Sequence, residues 1–244
     1  MTEQLTHQIH EIEILMNIGE FEEAISQLLV LMNDYPDNYY VTSLLGECYL
    51  SIGEPEKAIK PLEWATKNYP KRKLNSLKKG SRPSEKHTIS VLKRMLSSRE
   101  NKGVWVDHYL LGCALGRCME FKRAIVHLNK ANTMSPNNSE IVRNLGWIQC
   151  MNENERTGRA LLMRALSIDP QNALAHNDLG ASYLFAGDLD QAKKWIDKAL
   201  ALDPDDPFIV DTSDKLEELR AYKKLFGEIP VPGEMDGHWM MYTE

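Results

Sequence analysis

Few residues of this 244-residue chain stand at spacings that could do chemistry. His7 and His10, at i and i+3, share a helical face and could hold a transition metal. No third ligand lies near them, so solvated surface histidines are the simpler reading. Asp203, Asp205 and Asp206 imitate the start of a calcium loop but lack its central glycine and its final bidentate glutamate. They read as a turn and a helix cap. Cys48, Cys113, Cys118 and Cys150 have neither C-x-x-C nor zinc-finger spacing and read as reduced, mostly buried thiols. No nucleophile elbow, metalloprotease helix, phosphate loop, dinucleotide fingerprint or EF-hand occurs. The sequence calls for no catalytic residue, no metal and no cofactor, and the expectation is a protein that is not an enzyme.

Charge is the next chemistry. Residues 71–102 hold eleven Lys or Arg, among them Lys71, Arg72, Lys73, Lys78, Lys79, Lys93 and Arg94, against Glu85 and Glu100. That segment is nine charges positive in a chain whose net charge is −6, so the remainder is strongly acidic. A basic run of this kind suits an acidic protein segment, nucleic acid or an anionic membrane surface, and a solvated loop is the plain alternative. No aromatic is interleaved with the lysines, which weakens single-strand nucleic-acid binding. Overall acidity argues against binding nucleic acid over the whole surface.

Hydrophobic residues make up 43% of the chain and charged ones 26%, as in ordinary globular proteins. The longest purely apolar runs, such as Leu28-Leu29-Val30-Leu31-Met32, fall far short of the roughly 18 residues that cross a bilayer. The first residues carry neither a basic head nor an apolar core, so no secretory signal is read there, and a cytoplasmic location is expected.

The elements that position these residues follow from a repeat. Pro36, Pro70, Pro136, Pro170 and Pro204 close helical stretches at separations of 34, 66, 34 and 34 residues. The same register carries Ala24, Ala58, Ala124, Gly158 and Ala192, and again Leu31, Ala65, Ala131, Ala165 and Ala199. A Leu-Gly pair recurs as Leu45-Gly46, Leu111-Gly112, Leu145-Gly146 and Leu179-Gly180, with Ile12 in the glycine slot of the first unit. Each unit reads as two amphipathic helices that bury their apolar faces only against neighbours.

These columns resemble the tetratricopeptide repeat, W-x₂-L-G-x₂-Y…A-x₃-F…P over 34 residues. The resemblance places repeats at 5–38, 39–72, 105–138, 139–172 and 173–206. It implies an all-α, right-handed solenoid of about twelve helices: five hairpins, a one-helix basic insertion and a C-terminal capping helix. In domain terms, residues 1–72 hold repeats one and two, 73–104 the insertion, 105–206 repeats three to five, 207–226 the cap and 227–244 a flexible or docking tail. Within the insertion, Ser84 is placed to cap a helix over about 85–99 that packs into the array in place of a full hairpin. Departures from the family pattern are a missing Leu-Gly pair in repeat one, and Met119 and Glu153 where an inter-helix glycine is expected. Gly158 in the alanine column reads as a local weakness, because glycine costs up to about 1 kcal/mol in a helix.

The resemblance also implies a concave groove lined by the first helix of each repeat. The residues it aims there are Tyr109, Cys113 and Arg117, then Arg143, Trp147 and Met151, then Asn177, Ala181 and Phe185, each set at i, i+4, i+8. Aromatics beside arginines and an amide suit an extended peptide, although Trp147 and Phe185 could instead pack between helices. Asn144 and Asp178 stand where family members carry a backbone-binding asparagine. Tyr109, Cys113, Trp147 and Leu174 occupy clamp-like positions, so chaperone tails ending in EEVD do not fit. The expected function is a scaffold or adaptor holding a peptide or helical segment of a protein partner. The alternative is a regulatory or chaperone-like subunit of a larger complex, contacting nucleic acid or an acidic surface through the insertion. Finally, residues 228–244 contain no Lys or Arg and carry Trp239, Met240 and Tyr242. This segment is expected to dock in cis, against Arg117, Arg143 or the insertion, or in trans as a homo-oligomer contact, an untethered end being the rival view.

Overall fold

The computed structural model describes residues 3–68 and 104–229. The described residues form eleven helices and no strand: α1 (Glu3–Ile18), α2 (Phe21–Asp34), α3 (Tyr39–Ser51), α4 (Pro55–Asn68), α5 (Val104–Arg117), α6 (Phe121–Met134), α7 (Ser139–Met151), α8 (Glu155–Ile168), α9 (Ala173–Phe185), α10 (Leu189–Leu202) and α11 (Pro207–Phe226). This is an all-α helical repeat solenoid. The expected helix over 85–99, the basic residues Lys71 to Lys79, Lys93 and Arg94, and the tail residues Trp239, Met240 and Tyr242 all lie outside the described residues.

The repeat columns acquire physical reasons in the hairpins. At Gly46, an added Cβ would run into the side chain of Leu62; at Gly180 it would lie 2.6 Å from Ile196 Cγ1. In repeats two, four and five the glycine of the first helix thus makes room for the large apolar residue of the second. Leu62, Leu162 and Ile196 are fully buried as a result, beside the alanines Ala58, Ala65, Ala165, Ala192 and Ala199. In repeat one, Ile12 takes the glycine slot and is itself buried, in a core with Leu5, Ile9, Leu28 and Leu31.

Starts and stops follow the prolines. Two residues past Pro36, Pro136, Pro170 and Pro204 stand Asn38, Asn138, Asn172 and Asp206, whose side chains accept the first free N–H groups of α3, α7, α9 and α11. Such caps contribute about 1 kcal/mol each. The turns between the two helices of a repeat use a left-handed residue: Gly19, Gly53 and Gly187 with φ of +87°, +79° and +75°. Met119 and Glu153 hold the same backbone at φ of 58° and 59°. The expected glycine is absent at these two positions, but the conformation it serves is kept.

The chain divides into two compact units, 1–120 and 121–244, so α5 and α6 of repeat three belong to different units. In the first unit, α4 packs directly on α5. Asp107 on α5 is fully buried and accepts hydrogen bonds from the Tyr39 and Ser43 hydroxyls of α3. Tyr40 likewise donates to Glu13, joining α3 to α1. In the second unit, Val142, Leu162, Ala165, Ala175 and Leu179 form one core. Leu184, Leu189, Ala192, Ile196, Leu216 and Leu219 form the next, which anchors α11.

Candidate functional site

In the second unit, the first helices of repeats four and five, α7 and α9, bring several of the expected binding residues together. Arg143 on α7 donates through Nη1 to Asp178 Oδ2 of α9 at 2.7 Å. Its Nε and Nη2 donate to Glu140 Oε2 at 3.1 and 3.0 Å. Glu140 also accepts from Asn172 Nδ2 at 2.6 Å, so four side chains tie the two helices. Asp178 is buried, and burial raises its carboxyl above the usual carboxylate range against the pull of Arg143. One turn on, the Trp147 and Phe185 rings meet with centroids 6.0 Å apart and planes tilted by 39°. Both residues are half-buried.

The remaining expected residues are placed differently. Asn144 donates to the Glu140 carbonyl of its own helix at 3.0 Å. Asn177 is 1% exposed, and its Oδ1 has no hydrogen-bond partner. Met151 is half-buried and Ala181 buried. In the first unit, Tyr109 and Cys113 are half-buried, and Arg117 donates to the Leu50 carbonyl of α3 at 3.0 Å. Arg117 therefore fastens α5 to the preceding repeat.

Sequence reasoning missed Glu140, Asn172 and Asp107. A signal for Asn172 is its place two residues past Pro170, where it caps α9; nothing along the chain marks Glu140 or Asp107, whose partners come from other helices. It also missed Arg159 of α8, which donates to the Ser182 carbonyl at 2.8 Å and lies over the Tyr183 ring, 4.4 Å from its centroid. Among the described residues, no three His, Cys, Asp or Glu side chains converge as metal ligands. No described helix is long and apolar enough to cross a membrane.

A tetratricopeptide-repeat family model matches residues 151–208, spanning α8, α9 and α10. The interlock of a first-helix glycine with a large apolar residue of the second helix also occurs at Gly46 with Leu62 and at Gly146 with Leu162. Over residues 151–208 the chain carries tetratricopeptide repeats. The tetratricopeptide array is 33% identical over 88 residues to human aspartyl/asparaginyl beta-hydroxylase, a match taking in 33% of this chain and 12% of that protein. It therefore spans only a small part of that relative. Among solved structures, it is similar to MamA residues 41 to the end from Desulfovibrio magneticus RS-1 (TM-score 0.61, 15% identity, 85% of this chain and 99% of that one). It is also similar to YrrB, described as a tetratricopeptide protein with an unusual peptide-binding site (TM-score 0.56, 16% identity, 85% of this chain and 90% of that one). At these identities the likeness is one of fold.

Proposed function

We propose that this protein is a non-catalytic interaction scaffold that holds a peptide or helical segment of a protein partner on the face formed by α7 and α9. The observation that carries this reading is the Trp147–Phe185 pair. Two large, half-buried aromatics stand beside polar groups already fixed by the Arg143–Glu140–Asp178 ties. A preformed apolar contact with a satisfied charged border loses little conformational entropy on binding. Because Arg143 is held by two carboxylates, its part here is to orient α7 on α9, and the rings make the contact. YrrB's peptide-binding site supports the class of ligand by analogy of fold. The basic segment, the alternative contact for nucleic acid or an acidic surface, lies outside the described residues.

The test is peptide display on the purified chain, followed by titration of selected peptides against Trp147→Ala and Phe185→Ala. Loss of an anchor should cost about 2 kcal/mol, roughly thirtyfold in Kd. Melting temperature should change little, since both rings are half-buried. Equal affinity for wild type and both variants would refute the site. A large drop in melting temperature would assign the pair to packing instead.

A further inference from the structure

The end of α11 borders a cleft lined by charged side chains. Gly227, at φ +81°, stops the helix, its N–H donating to the Lys223 carbonyl at 2.8 Å. The chain then turns back, and Ile229 packs on the core of Leu184, Leu189, Leu216 and Leu219. Its Cδ1 lies 3.8 Å from the place a Cβ on Gly187 would occupy, so it is seated on the turn between α9 and α10. Beside that turn is a cleft of about 530 Å³ whose lining includes Gly187, Asp188, Asp190, Arg220, Lys223 and Lys224. Asp188 is already engaged as the cap of α10, accepting from the Gln191 N–H at 3.1 Å. The three cations form no ion pair among the described residues. One guanidinium nitrogen of Arg220, Nη1, is buried without a hydrogen-bond acceptor. A buried donor left unmade is costly, so the cleft is suited to an acceptor-bearing, anionic occupant.

The residues that follow Ile229 have that chemistry. Residues 230–236 read Pro-Val-Pro-Gly-Glu-Met-Asp, with two carboxylates and no Lys or Arg. Each proline holds the residue before it in extended backbone, which reduces the entropy lost on docking. Glu234 is five residues beyond Ile229 and can reach about 17 Å from it. The arginines that the sequence offered as counter-charges are engaged elsewhere, Arg117 on the Leu50 carbonyl and Arg143 on Glu140 and Asp178. We propose that residues 230–236 occupy this cleft in cis, with the Glu234 carboxylate on Arg220 and Asp236 facing Lys223 and Lys224. The segment is then a strap that fastens the last helix to repeat five. Tethering at Ile229 gives it an effective concentration in the millimolar range, enough for weak contacts to hold.

The experiment is hydrogen exchange on the full chain and on a Glu234→Gln, Asp236→Asn variant, which leaves every packed residue in place. The amides of residues 187–190 and 220–227 should exchange about threefold faster in the variant. Arg220→Gln should give the same increase, and the three changes together no more than either set alone, because they break one contact. Unchanged exchange in the tail variant would overturn the strap. So would effects that simply add, which would separate Arg220 from the tail. Light scattering is run alongside. A mass that falls from dimer to monomer in the tail variant would also overturn the proposal, by giving the cleft to a second copy.

Discussion

Replacing Gly158 by alanine sets helix propensity against packing. Gly158 is in the interior of α8, where alanine is favoured by about 1 kcal/mol on propensity alone. The other repeats carry alanine in this column, at Ala24, Ala58, Ala124 and Ala192, each fully buried. In repeat four, however, a Cβ on Gly158 would stand 2.7 Å from the Gly146 carbonyl oxygen and 2.8 Å from the Cys150 backbone nitrogen, and closer still to Cys150 Sγ. Ordinary contacts begin near 3.4 Å, and two of the three obstacles are backbone. The helices α7 and α8 must therefore separate, and overpacking of this kind costs about 1–3 kcal/mol. The expected net loss is up to about 2 kcal/mol, or a few degrees of melting temperature at about 2–4 °C per kcal/mol for a chain of this size. Thermal melts of Gly158→Ala and of Gly158→Ala with Cys150→Ala decide it. The second change removes the sulfur clash but leaves the backbone ones, so it should recover only part of the loss. A Gly158→Ala protein that melts at or above wild type would refute the reasoning, and would return Gly158 to the role of a weak point in its helix.

The other expected outcomes rest on separate observations. Glu153→Gly and Met119→Gly should each stabilise by about 0.5–1 kcal/mol, since a left-handed backbone costs a non-glycine residue about 1–2 kcal/mol and glycine's added chain entropy returns part of it; unchanged or lower melting temperatures would remove the strain. Asp107→Ala should cost about 2 kcal/mol in urea unfolding, because it removes the acceptor of the buried Ser43 hydroxyl and one bond of Tyr39, and Asp107→Asn should cost less by keeping one acceptor. Burial pushes the Cys48 and Cys150 thiols up to about 11, and folding holds both protonated. Their contribution to stability is therefore complete below the unfolded thiol range near pH 8.5 and is lost as pH rises through 11. A wild-type melting temperature that falls between pH 9 and 11 more steeply than that of Cys48→Ala, Cys150→Ala is the expected result.

The hairpins were legible because their information is local. Leu-Gly pairs, alanine columns and closing prolines recur within 34 residues, and one helix face against its partner is enough to fix which positions must be small. The glycine slots facing Leu62 and Ile196 are that pattern realised, and the caps two residues past the prolines are a second local rule. Local pattern also marked Met119 and Glu153 as lacking glycine, but only the backbone angles reveal that the left-handed turn persists there. What no window of sequence contains is the meeting of polar side chains on successive first helices. Asp107 finds its donors 64 and 68 residues away, and Arg143 meets Asp178 at a separation of 35. Arg117 and Arg143 look alike as exposed-face arginines, yet both are spent on holding neighbouring repeats together. The closeness of α7 to α8, which makes Gly158 a wedge point, is likewise set by the approach of two backbones. Periodicity along a helix determines which face is buried; the stacking of one helix on the next decides which charges on that face are satisfied and which rings meet.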